Sequence, residues 1–484
     1  MGPDAPDQRR PLMWINRWHL ATLVTMLSLS AGVSYCLVQK PLTLHDGLDP
    51  IVKAQQTDSV RELFWDQLHT RAYFRPFRVV QSKLLYDSFS HDLFGAFVGF
   101  HVLLTVASVL LLVTLLSPRS GAGFAAATVG GVTFFGLHTS NVLFLEAYPI
   151  NHFLEIVCLL ILTLIATARW RGWFADGTAV LAVLVALGTL ESGILVWFAL
   201  GVAWVLGWRG VSRSGLVTST ALVFAYFGLR LYLDVGTPGL DERSSGFGFQ
   251  FLDPSVLIAR FEANPWPFYT YNVATSWLSV LFAEPRAGVW VLSERLVHGI
   301  VPPWMWVNLA TSTITSAMVV WFSIRRFGHW IHGRFEDADR FVVIFWAMLA
   351  ANGTLSYAYT KDVILSPAGI LYACAVFAVV REALGCVRTR SGIVAGALAG
   401  LCLIVSIGWS VRTVGLLHAL RYQAYRHAND WAFIHEVLQD SEVEADPNTR
   451  NLVLRLRGVM IRKDVPSPYF VENRTLSPWL DTYR

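Results

Sequence analysis

Runs of about 18 or more residues that are almost free of charge recur along the whole chain. At about 1.5 Å per residue, a helix of that length crosses a hydrocarbon core of about 30 Å. Lipid offers the backbone no hydrogen-bond partners, so a spanning segment must be a helix or part of a closed barrel, and uncharged runs of this length are helical. The chain therefore reads as an all-α membrane protein. Composition agrees: 15% of its 484 residues are charged, against about 25% in a soluble domain.

The runs fall at roughly 18–38, 93–116, 124–138, 154–168, 216–233, 303–324, 341–357, 364–380 and 393–411, and 178–206 has room for two short helices turning near Glu191. This predicts a polytopic bundle of about eleven transmembrane helices. Arg9, Arg10 and Arg17 precede the first run and place the N-terminus in the cytoplasm. Every later connection assigned to that side also carries arginine: Arg119, then Arg169 and Arg171, Arg209 and Arg213, Arg325 to Arg340, and Arg381 to Arg390. The turn at Glu191 is the critical point, because a single span there would reverse every later side.

One transmembrane domain then covers 1–412, with long extracytoplasmic loops at 39–92 and 234–300 and an extracytoplasmic tail at 413–484. In the first loop, 59–67 and 77–86 have helical apolar spacing and read as interfacial helices. In the second, 255–261 and 268–282 are too interrupted to span and read as re-entrant or interfacial. In the tail, 418–438 reads as a helix, and 452–461, LVLRLRGVMI, alternates like a strand. The five cysteines are odd in number and form no CxxC pair, which argues against a disulfide framework or a zinc finger. The net charge of +4 sits mostly in short-loop arginines, so topology accounts for it and no nucleic-acid partner is implied. Arginine greatly outnumbers lysine, which suggests a GC-rich bacterial genome and hence a plasma (inner) membrane.

Ionisable groups near membrane spans are costly unless paired or useful. Here Asp46, Asp49, Arg71, Arg75, Arg78, His138, Glu146, His152, Glu155, Glu191 and Lys361 gather at the outer helix ends, with no comparable mixed cluster inside. Acid near the first span and arginine near the second suit an anionic, membrane-borne substrate. His45, Asp46, Asp49 and His138 also supply donor types for a divalent metal, in a spacing that matches no recognised signature. Each of these residues also has a plainer use. Asp46 serves equally as a helix N-cap, the arginines as lipid-headgroup anchors, and Glu191 as a turn cap.

The order of motifs resembles the GT-C class of membrane glycosyltransferases, nearest the protein O-mannosyltransferase and transmembrane TPR mannosyltransferase-like branch. The motifs are LHDGLD (44–49) after the first span, FRPF (74–77), Gly99-Phe100-His101 entering the second span, Leu137-His138 followed by Glu146, and Leu190-Glu191-Ser192. The likeness covers roughly 42–200. The acids are separated rather than adjacent, Leu190 stands where a basic residue is usual, and no TPR array follows. The resemblance implies transfer of a sugar, with inversion, from a polyprenyl-phosphate donor to an acceptor protein or glycan outside the cytoplasm. It implies Asp46 or Asp49 as the base that takes the acceptor proton, an effect worth about 10² to 10⁴-fold. Arg75 would meet the donor phosphate, with Arg71, Arg78, His138, Glu146, Glu191 and Lys361 as further substrate contacts. Rival classes are a lipid transporter or flippase, which predicts mid-span charges and two similar halves, and a non-catalytic scaffold of the same fold.

Overall fold

The computed structural model describes residues 16–69, 74–145, 150–233, 266–284, 286–299, 301–357, 361–389, 392–439 and 447–461, with positions 259 and 264. All regular structure among them is helical. Eight helices are long and apolar enough to cross a membrane, and a bent pair makes a ninth. Two shorter apolar helices, Trp173–Thr189 and Glu191–Val205, occupy the region where two short spans were expected.

In chain order the helices before the midpoint are α1 (Arg17–Gln39), α2 (His45–Gln56), α3 (Val60–His69), α4 (Pro76–Ser88), α5 (Leu93–Leu116), α6 (Gly121–Gly136), α7 (His138–Leu145), α8 (His152–Arg169), α9 (Trp173–Thr189), α10 (Ile194–Val205) and α11 (Arg213–Tyr232). The later ones are α12 (Trp266–Phe282), α13 (Arg286–Val297), α14 (Pro303–Ile331), α15 (Asp337–Leu355), α16 (Ser366–Thr389), α17 (Ile393–Gln439) and α18 (Pro447–Met460). Each expected span coincides with a helix. The hinge of the topology holds as well, because α9 and α10 are separate helices joined by a 3-10 turn at Glu191–Gly193. Gly193 is required there: a Cβ at that position would lie 2.0 Å from the Ala186 carbonyl oxygen.

The bundle has a short-loop end and a long-loop end. At the short-loop end Ser212 N–H donates to Asp176, Gly210 N–H to the Thr167 carbonyl and Arg340 to the Leu206 carbonyl. A mixed charge cluster also lies here, contrary to expectation: Arg326 meets Glu336 at 3.0 Å, Glu382 at 3.3 Å and Asp339 at 3.7 Å. Glu336 and Asp339 belong to the same connection as Arg326, and Glu382, 56 positions away, joins them only through helix packing. The core runs along α16, which is buried throughout from Ser366 to Val380 and packs against α6, α8, α14, α15 and α17. Within lipid such contacts hold by close packing and interhelical hydrogen bonds; Tyr372 and Ser316 bond across α16 and α14 at 2.9 Å.

In the first loop α3 and α4 match the expected helices. The preceding α2 is a helix that the sequence does not announce, because Gly47 and the internal Pro50 disguise it. In the second loop, 255–261 lies outside the described residues save Ala259, and 268–282 is part of α12, packed on α14 and α15. The expected strand at 452–461 is wrong: this stretch belongs to α18. Its buried residues, Leu452, Val453, Leu456 and Met460, follow the helical spacing of one, four and eight positions, with Pro447 starting the helix. The segment at 418–438 is helical, but as a continuation of α17, which runs unbroken for 47 residues.

Candidate functional site

The site is built on three short segments at the long-loop end. Pro76 opens α4 in the first-turn position that tolerates proline, which fixes Arg75 just outside the helix. The next aromatic, Phe77, packs directly on α9 because Gly188 has no side chain; a Cβ there would meet the Phe77 ring at 2.2 Å. This contact brings FRPF against the Leu190-Glu191-Ser192 turn. Arg75 Nε donates to the two Glu191 carboxylate oxygens at 3.0 and 2.9 Å, and Nη2 donates to Oε2 at 2.6 Å. The two side chains are 20% and 29% exposed, so the pair is shielded yet reachable.

Further groups extend the cluster. Phe74 packs edge-on to Tyr226, whose hydroxyl accepts from Arg230 at 2.9 Å. Gln81 donates to Glu155 at 2.6 Å, and His152 Nδ1 lies 3.3 Å from the other Glu155 oxygen. Arg78 and Arg75 are close enough to His152 to act on it electrostatically. The buried Asn151 side chain donates to the Leu143 carbonyl at 2.7 Å and sits 3.0 Å from His101 Nε2. Among the described residues, three guanidinium groups share this region with two carboxylates.

A second polar cluster lies at the other end of α7, a helix about 12 Å long that breaks from α6 by 58°. There His138 Nε2 stands 3.1 Å from Asp362, next to the half-buried Lys361. Arg412 is 7% exposed and donates to the carbonyls of Gly136, Asn308 and Ala283 and to the Ser312 hydroxyl, and it lies 3.5 Å from Glu284. Burial raises the Glu284 carboxyl above the usual carboxylate range, against the opposing pull of Arg412, His138 and a hydrogen bond from Asn308. The neighbouring Ala283 has a φ of +50°, a left-handed conformation costly for a residue with a Cβ.

Of the residues picked from sequence, Arg75, Arg78 and Glu191 fall in the first cluster and His138 and Lys361 in the second. Asp49 is exposed on α2. Arg71 and Glu146, and the side chain of Asp46, lie outside the described residues. Sequence reading missed Arg230, Glu284 and Arg412. The available signal for Arg230 and Arg412 was a lone arginine closing an apolar run, a position where charge is expensive without a partner. Among the described residues no group of three His, Cys, Asp or Glu side chains is arranged to hold a metal.

No family model matches the chain, and no curated protein matches it. Among solved structures, the chain is similar to the crystal structure of ArnT from Cupriavidus metallidurans bound to undecaprenyl phosphate. The TM-score is 0.46 and the identity 13%, over 92% of this chain and 89% of that one, a level at which overall shape decides nothing about chemistry.

Proposed function

We propose that the chain is a GT-C-type membrane glycosyltransferase that moves a sugar from a polyprenyl-phosphate donor to an acceptor protein or glycan at the long-loop end. The observation that carries this reading is the Arg75–Glu191 pair. The FRPF and Leu-Glu-Ser motifs stand 116 positions apart in the sequence, and their charged residues meet through hydrogen bonds of 3.0, 2.9 and 2.6 Å. Two other motif histidines also enter the polar clusters, His101 through Asn151 and His138 through Asp362. Arginines crowd the short connections at the opposite end, which supports a cytoplasmic short-loop end and an extracytoplasmic site.

In this mechanism Glu191 holds the Arg75 guanidinium in place, and Arg75 meets the donor phosphate, with Arg71 and Arg78 adding positive charge around it and Lys361 contacting the substrates from the second cluster. His138 and Glu146 contact the substrates. An acceptor hydroxyl attacks the anomeric carbon as Asp46, or Asp49 in its place, takes the hydroxyl proton. The new carbon–oxygen bond forms on the face opposite the breaking one. The phosphate leaves with the bonding electrons, and the arginines neutralise its growing charge. A lipid transporter would instead place its ionisable groups along the middle of the spans. The Arg75–Glu191 and His138–Asp362 pairs lie at helix ends.

The test uses the full chain in lipid nanodiscs with radiolabelled polyprenyl-phosphate sugars and a membrane extract as acceptor source. Asp46→Asn is expected to lower transfer by about 10² to 10⁴-fold while undecaprenyl phosphate still binds. Normal transfer by both Asp46→Asn and Asp49→Asn would rule out these acids as the base.

A further inference from the structure

The C-terminal helices meet the first loop in a way that the transfer reading does not use. At about 1.5 Å per residue, the 47-residue α17 is about 70 Å long, more than twice a hydrocarbon core. Beyond Arg412 it continues to the segment that links α1 to α2. There the fully buried Trp431 donates from its indole N–H to the Leu42 carbonyl at 2.7 Å. One turn earlier, His427 Nδ1 lies 3.4 Å from the Pro41 carbonyl oxygen. Further on, α18 folds back onto α17, with Arg457 donating to the Ala432 carbonyl. Its apolar face, Leu452, Val453, Leu456 and Met460, shares one buried core with Leu44, Leu48 and Ile51 at the start of α2. At the far end of α2, Gln55 and Gln56 reach Asn448 and Thr449.

A helix as short as α2, with an internal proline and a glycine, has little stability of its own. Its placement must come from what it packs against: α4 along one side, and a shared core in which the tail residues join Leu93, Phe94, Phe97 and Val98 of α5. We propose that the C-terminal helices are a positioning clamp for α2, with Trp431 as the positioning residue, so that the tail sets where Asp46 and Asp49 stand relative to the membrane helices. The consequence for the two acids rests on the proposed transferase reading. The clamp itself does not.

Hydrogen exchange of the full chain in nanodiscs separates the two. Trp431→Phe keeps an aromatic ring and removes the indole donor, a bond worth about a five-fold change in local opening. The paired change Leu452→Ser with Leu456→Ser loosens the α18 face and leaves Trp431 intact. Amides of 45–56 are expected to exchange about five-fold faster in the first variant and faster still in the second. Amides of α16 stay at wild-type rates in both. Unchanged exchange over 45–56 in both variants overturns the clamp. So does an increase spread evenly across the bundle, because that marks general destabilisation. Local loosening in variants of a protein that transfers no sugar retains the clamp and discards the transferase.

Discussion

Arg75 and Glu191 show how far single residues could be read in advance. In sequence Arg75 stands out within FRPF among three close arginines and Glu191 as the acid in a turn between two apolar runs, but nothing in the order of residues pairs two positions 116 apart. Arg412 went unnoticed because it ends an apolar stretch and reads as the first residue of a polar tail. Its five oxygen neighbours come from segments more than 90 positions away. Glu284 yields a prediction at this scale. A carboxyl whose folded pKa lies above its unfolded one stabilises the fold in acid, and that contribution is lost as pH rises through the folded value. Burial shifts Glu284 in this direction. Glu284→Gln, which cannot ionise, should therefore melt above wild type at pH 8 and level with it near pH 4. Melting curves across that range check it, and a variant that melts lower at pH 8 contradicts it.

At the scale of elements, the positions of the long helices were legible because an uncharged run in lipid has one common solution. Short elements were not. The α2 helix was hidden by its glycine and proline, and α18 by an alternation that also satisfies a helical face. What seats α4 on α9 is the close approach at Gly188, a feature that a glycine in an apolar run does not announce. Gly188→Val should force Phe77 away and separate Arg75 from Glu191. Overpacking of this kind costs about 1–3 kcal/mol. The expected outcome is a lower melting temperature together with weaker undecaprenyl phosphate binding. Binding at wild-type strength would show that the α4–α9 contact does not organise the anion site.

For the molecule as a whole, the alternation of helix directions followed from the run of arginines in one set of connections. The mixed charge cluster at that same end was not foreseen, since Arg326 and Glu382 become neighbours only after α14 and α16 pack. Sidedness itself is testable with single cysteines, because the native thiols are buried or half-buried. Ser90→Cys, exposed at the long-loop end, should react with an impermeant maleimide on intact cells or spheroplasts. His332→Cys, exposed at the short-loop end, should react only after permeabilisation. The reverse pattern would move the proposed chemistry to the cytoplasm. The most direct measurement is a cryo-electron microscopy structure of the full chain with undecaprenyl phosphate. The account predicts its phosphate within hydrogen-bonding reach of Arg75 and near the start of α2. A headgroup resting at the short-loop end, against Arg326 or Arg340, would contradict it.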